Sequence, residues 1–127
     1  MEIERKLLQL LMEAGNLASG YGYFPEAEII FNGLRAVRPE SEYPLIGLAL
    51  AKMNARKNLE AIKVLADETL KVNPESDLAK SFLGLALKTS GLREESCTVL
   101  REVIAADRDK IAVNIARNLL AEQKGKV

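Results

Sequence analysis

The spacing Gly15-x6-Gly22-x4-Ala27-x3-Phe31-x7-Pro39 recurs position for position as Gly84-x6-Gly91-x4-Ser96-x3-Leu100-x7-Arg108. A weaker copy lies between the two: Ala49 stands in the place of Gly15 and Gly84, Ala61 in that of Ala27, and Leu65 in that of Phe31. No other feature constrains the chain as much, because a recurrence on this scale marks stacked helical hairpins, none of which can bury its apolar face alone. Such a stack is a scaffold for holding something.

Helix signals divide the chain into seven segments joined by short turns. The first spans Ile3 to Ala18, with Leu7, Leu8, Leu11, Ala14, Gly15 and Ala18 on one face at helical spacing. Pro25 suits a first helical turn and opens the second, which Pro39 stops. Ser41 and Pro44 open the third, apolar almost all round from Leu45 to Ala51 and therefore the most buried. Asn58, Ser76 and Asp109 are the expected N-caps of the fourth, fifth and seventh. The sixth runs from Arg93 to Ala106, and the tail from Lys124 to Val127 is expected to fray.

The expected fold is all-α: a tetratricopeptide-repeat superhelix of three helical hairpins plus a C-terminal capping helix, seven helices in a single domain over residues 1–127. The repeats fall at about 8–41, 42–76 and 77–110, with the cap at about 110–123. In each hairpin two antiparallel helices cross closely, and only Gly, Ala or Ser lets the backbones approach. Gly15, Ala49 and Gly84 fill that point on the first helices, and Ala27, Ala61 and Ser96 on the second. Phe31, Leu65 and Leu100, one turn later, fill the gap to the next repeat.

Composition removes several classes of function. The 18 Lys and Arg balance 18 Asp and Glu, so there is no basic field of the kind nucleic-acid binding rests on. Histidine is absent, which removes the commonest general base and, with Cys97 as the only cysteine, the usual ligands of a zinc site. Cys97 reads as a small buried hydrophobe. Glu40, Glu42, Glu94 and Glu95 fall at helix starts, where the dipole favours negative charge. Gly20-Tyr-Gly22 lacks the Lys-Ser or Lys-Thr of a phosphate loop and lies between helices. Neither an enzyme nor a cofactor is expected. The amino-terminal run of Leu7, Leu8, Leu10, Leu11 and Met12 is broken too soon by charge to be a leader or a membrane span, so a soluble cytoplasmic protein is the expectation.

Partner contact is expected on the concave face, which the first helix of each hairpin lines. Counting from the crossing residues, repeat one offers Gln9, Met12, Glu13, Asn16 and Ser19, and repeat two Tyr43, Ile46, Gly47, Leu50 and Met53. Repeat three offers Leu78, Ser81, Phe82, Leu85, Lys88 and Thr89, and the last helix Ile115 and Leu119. The groove proper is placed at Met12, Asn16, Tyr43, Ile46, Leu50, Met53, Phe82, Leu85 and Leu119. A surface so apolar marks an interaction site, and Met12 and Met53 suit one that adapts to its ligand. The alternative is that the third and fifth helices are buried by curvature of the superhelix or by a dimer.

The stretch from Ala18 through Ala27, Phe31 and Leu34 to Pro39, followed by Leu45-Ile-Gly-Leu-Ala49, resembles the tetratricopeptide chaperones of bacterial type III secretion systems. Ile46-Gly-Leu-Ala49 is similar to a Leu-Gly-Leu-Gly stretch of the translocator chaperones, which carry an additional amino-terminal helix. This chain has only a few residues before its first repeat, and its length is closer to the needle-subunit chaperones. The resemblance implies a protein that holds the amphipathic C-terminal helix of the needle subunit in its groove, with a small helical co-chaperone alongside, and so blocks polymerisation. The competing readings are an assembly or regulatory subunit that binds another protein and a general adaptor gripping a C-terminal carboxylate. The adaptor needs Lys, Asn and Arg where this chain has Met12, Asn16, Gly47, Leu78 and Phe82, and only Asn16 fits.

Overall fold

The computed structural model describes residues 2–124; of the tail expected to fray, Lys124 is the last residue of the closing helix, and Gly125 to Val127 lie outside the described residues, as does Met1. Seven helices and no strand are found among the described residues. They are α1 (Glu2–Gly20), α2 (Phe24–Val37), α3 (Tyr43–Asn54), α4, α5 (Asp77–Thr89), α6 (Arg93–Ala106) and α7 (Lys110–Lys124). Helix α4 starts as Asn58–Lys63, passes through a π-helical stretch at Val64–Thr69 and closes with the turn Leu70–Val72. Consecutive helices pair as α1/α2, α3/α4 and α5/α6, and α7 lies across both helices of the last pair. This is the tetratricopeptide-repeat superhelix with a closing helix.

The small residues sit at the crossings because nothing larger would fit. A Cβ on Gly15 would stand 2.7 Å from the Phe31 ring, and one on Gly84 would stand 2.3 Å from Leu100 Cδ2. Ala27, Ala49 and Ala61 are completely buried. The third hairpin uses Ser96, whose buried hydroxyl donates to the Gly84 carbonyl at 2.7 Å and so satisfies itself in the crossing. Phe31 reaches beyond its own hairpin: a Cβ on Gly47 would come within 2.4 Å of the ring. One aromatic ring therefore joins hairpins one and two.

Turns repeat as faithfully as crossings. Gly22, Arg56 and Gly91 occupy equivalent turns between the two helices of each hairpin, with φ of 86, 63 and 83°. Only glycine adopts this left-handed conformation without strain, so Arg56 carries a cost the two glycines avoid. Ser76 caps α5 by accepting from the Ala79 amide at 3.1 Å, and Asp109 caps α7 by accepting from Ile111 and Ala112. Asn58 does not cap α4: it is already the first helical residue, and Lys57 precedes it with no side-chain cap.

The π-helix has a cause in the repeat length. Ala49 follows Gly15 by 34 positions and Leu65 follows Phe31 by 34, whereas Leu100 follows Leu65 by 35. The extra residue therefore enters between Leu65 and Pro74, since Pro74 follows Pro39 by 35. A π-bulge absorbs one residue without breaking the helix. Thr69, wholly buried, donates its hydroxyl to the Val64 carbonyl at 2.8 Å inside the widened turn.

Two regions of the core follow from this stacking. The larger joins Phe31, Leu45, Leu48, Leu65, Leu83 and their neighbours, and the smaller joins Leu100 and Val103 to Ala112, Val113, Ala116 and Leu119 of the closing helix. Helix α3 is the most enclosed, with every residue from Pro44 to Ala49 buried. Helix α1 departs from the expected single inward stripe: Leu7, Leu11 and Ala14 are exposed, whereas Leu8, Met12, Gly15 and Ser19 turn towards α2 and α3. Cys97 is half-buried rather than enclosed.

Candidate partner-binding face

Helices α1, α3, α5 and α7 lie side by side in chain order, each against the next, and form one wall of the superhelix. The second helix of each hairpin stands behind this wall. From it α3 presents Leu50 and Met53, and α5 presents Leu78, Phe82 and Leu85, all of them half-buried. They pack on the two core regions from outside. Apolar side chains held in this way still keep surface to offer a partner.

The remaining expected groove residues divide. Met12 is half-buried and Asn16 exposed on α1, and Tyr43 at the start of α3 is 57% exposed. Ile46 and Leu119 are core residues, exposed by 5% and 9%. Ile46 is enclosed because α3 is covered by hairpin one on one side and by α5 on the other; Leu119 is enclosed because α7 lies flat on the third hairpin. Gly47 and Ser81 are buried too, Gly47 against Phe31 and Ser81 donating to the Leu78 carbonyl at 2.7 Å.

Tyr43 stands between two clefts. One, of about 260 Å³, is lined by Leu8, Gln9, Met12, Leu34, Arg38, Ser41 and Pro44 together with Tyr43, and its walls are almost wholly apolar. The other, of about 290 Å³, is bounded by Glu42, Asn73, Glu75, Ser76, Asp77, Leu78, Arg108 and Asp109. The two clefts open at the successive junctions between hairpins, where the loop after each second helix meets the start of the next first helix. Leu34 and Arg38 are absent from the expected list because they lie on α2 and directly after it, whereas that list covers first helices; no repeated residue type marks them, since the position of Arg38 is taken by Asn73 and Asp107 in the later repeats.

Electrostatics fix the second cleft. Arg108 donates from Nε and Nη2 to the two Asp77 oxygens, both at 2.9 Å, and Asp77 is buried. This hydrogen bonding pushes the Arg108 guanidinium further into its charged range against some desolvation, with the charges of Asp77 and Glu75 adding to it. Asn73 donates to Glu42 Oε1 at 3.1 Å, while the buried Oε2 of Glu42 receives no donor among the described residues. The first cleft thus has the lining for an apolar side chain, whereas the second is polar and its Arg108 and Asp77 are already paired with each other.

Two polar contacts tie neighbouring helices of the wall together. Lys88 meets Glu122 at 2.5 Å, tying α5 to α7, and Asn54 donates to Ser19 at 2.8 Å, tying α3 to α1. No cluster of potential metal ligands occurs among the described residues, and no described helix is long and apolar enough to cross a membrane.

No protein-family model matches the chain, and no curated protein matches it. Among solved structures it is similar to the type III secretion translocator chaperone SycD of Yersinia enterocolitica, with a TM-score of 0.73 over 100% of both chains and 17% sequence identity. At that identity the likeness establishes the shared superhelical fold.

Proposed function

We propose that this chain is a chaperone of a type III secretion system that holds an apolar, helix-forming segment of a secreted client on its concave wall. The observation that carries the reading is the row of half-buried apolar side chains, Leu50, Met53, Phe82 and Leu85, continued by Met12 and Tyr43 around an apolar cleft. An amphipathic helix laid along such a row gives up its own apolar face, which is the face it needs to polymerise. The first client is the needle subunit, held through its C-terminal helix, with a small helical co-chaperone alongside. The complex forms in the cytoplasm before export and requires no chemical step.

A translocator client is the second reading, favoured by the likeness to a translocator chaperone along the whole of both chains. A general adaptor for a terminal carboxylate has less support, since Asn16 alone supplies a suitable group and Gly47 is buried.

Co-expression with the needle subunit and, separately, with a translocator of the same secretion system tests the proposal. The expected result is co-purification with one of them, lost on substituting Leu50→Asp together with Phe82→Asp while helical circular dichroism persists. Recovery of neither client by the unaltered chain, or undiminished recovery by the folded variant, overturns it.

A further inference from the structure

Each hairpin ties the loop that leaves its second helix back to the start of its first helix, and an acidic residue takes the bond each time. Arg38 donates to Glu4, Asn73 to Glu42 and Arg108 to Asp77. The second and third ties span the same interval, 31 residues from Glu42 to Asn73 and 31 from Asp77 to Arg108. In the first and third the donor is a guanidinium. The second has a neutral amide, which reaches Oε1 of Glu42 at 3.1 Å and brings no charge to meet the carboxylate. Its Oε2 is shut off from water and receives no donor among the described residues. A buried carboxylate oxygen left in this way costs free energy, and so calls for a partner.

The place for a partner is open. Glu42 borders the cleft of about 290 Å³ between hairpins two and three, together with Glu75, Asp77 and Asp109. Arg108, the one cation among the lining residues, is engaged by both oxygens of Asp77 and lies 3.6 Å from Glu75. Asp109 accepts from the amides that open α7. Glu42 is therefore the carboxylate with a bond to accept, in a cleft whose field is negative. Its last torsion is soft, so Oε2 can turn to the cleft without moving α3. We propose that this cleft takes a cationic side chain, arginine or lysine, of the bound client, which completes on Glu42 the pair that Arg108 makes on Asp77. The donor need reach Oε2 only, because Asn73 keeps Oε1. The inference rests on the client reading and adds a requirement to it: the client carries a cation beside its apolar residues. Leu78 on the border of this cleft, and Tyr43 between it and the apolar one, put that charge at the edge of the apolar row.

Titration calorimetry on the whole chain, with whichever of the needle subunit and the translocator co-purifies with it, tests the cleft. Glu42→Gln keeps the shape and the bond from Asn73 but removes the charge. It should weaken the client by roughly 5- to 30-fold at low salt, and by less as salt screens the pair in the parent. Asn73→Arg supplies the missing cation from within, so it should raise the melting temperature and weaken the client to a similar extent; it also serves should Glu42→Gln lose its fold. Replacing the client's lysines and arginines by glutamine one at a time should find one whose loss Glu42→Gln no longer deepens. If either folded variant binds the client as the parent does, or every client substitution adds in full to Glu42→Gln, the inference falls and water is the partner of Glu42. Loss of binding by Leu50→Asp with Phe82→Asp then leaves the client reading standing. If the unaltered chain recovers neither client, both fall together.

Discussion

The Phe31 ring lies so close to Gly47 that a Cβ on that glycine would stand 2.4 Å from Cε1, in a helix belonging to the next hairpin. Phe31 has no exposed surface, so it has nowhere to retreat. Gly47→Ala should therefore destabilise the fold although alanine is the better helix former. Overpacking costs about 1–3 kcal/mol, and the propensity gain of roughly 0.5–1 kcal/mol offsets only part of it. Urea denaturation should show a net loss of about 1 kcal/mol, and Phe31→Leu in the same chain should reduce the added penalty of the alanine. Equal effects in both backgrounds would mean that ring and glycine are not coupled.

At Arg56 the sign reverses. Its φ of 63° lies in the region where Gly22 and Gly91 sit in the equivalent turns, and a left-handed side-chain residue costs about 1–2 kcal/mol. Arg56→Gly relieves that cost and increases the freedom of the unfolded chain, which leaves a gain of roughly 0.5–1 kcal/mol. Gly22→Ala and Gly91→Ala should each lose about 1 kcal/mol or more. Thermal melts of the three variants decide the matter, and a destabilised Arg56→Gly would contradict the argument.

The π-helical turn predicts tolerance of a deletion. Removing exposed Ala66 shortens the second interval from 35 to 34 residues and allows α4 to close as a regular α-helix, with Leu65 and Pro74 still in place. The deleted chain should keep its helical signal and a cooperative melt. A comparable deletion of Thr98, in the regular helix α6, should abolish both, because it rotates Leu100 and Val103 out of the core. Equal damage from the two deletions would disprove the insertion account.

Lys52 supplies a pH dependence. Its ammonium donates to Glu28 at 2.8 Å and Glu60 at 3.3 Å, joining α3 to α2 and α4. The hydrogen bond to Glu28 raises its pKa above the ordinary 10.5, outweighing partial burial, and Glu60 adds to the effect. A raised folded-state pKa means that the charged form is favoured by folding. The contribution is therefore complete below about pH 10.5 and fades as pH climbs through the raised value. Chemical denaturation on either side of that point should show Lys52→Met losing this part of the alkaline slope, while between pH 6 and 9 the difference from the parent stays constant.

Tyr43 separates the two clefts and is well exposed, so truncating it tests binding without disturbing the core. Tyr43→Ala should leave the melting temperature unchanged and weaken the client by roughly 5- to 30-fold, read by titration calorimetry with the isolated client helix. An unchanged affinity would place the client elsewhere on the wall.

Most of the fold was legible because the crossings tolerate so few residue types. Gly15 with Ala27, and Gly84 with Ser96, state the hairpin geometry in composition alone. The π-turn was not legible from pattern, since an inserted residue leaves the local apolar rhythm near Leu65 intact; only the interval from 34 to 35 betrays it. Which apolar residues of the first helices stay open was not legible from pattern. Ile46 and Leu50 are both apolar and four positions apart on the same helix, yet one is enclosed and the other half-open, because superhelix curvature decides how far each neighbour reaches. On α1 the inward and outward stripes are equally apolar, and a sequence does not say which of them has a neighbour.

The unequal ends of the stack bear on how such an array could be lengthened. A hairpin grafted ahead of Glu2 would meet a docking surface already shaped for it, whereas one joined after Lys124 would meet the polar back of a lid and would need that lid rebuilt first. Extension of this architecture therefore has a direction, set by which extremity of the stack still shows oil to water.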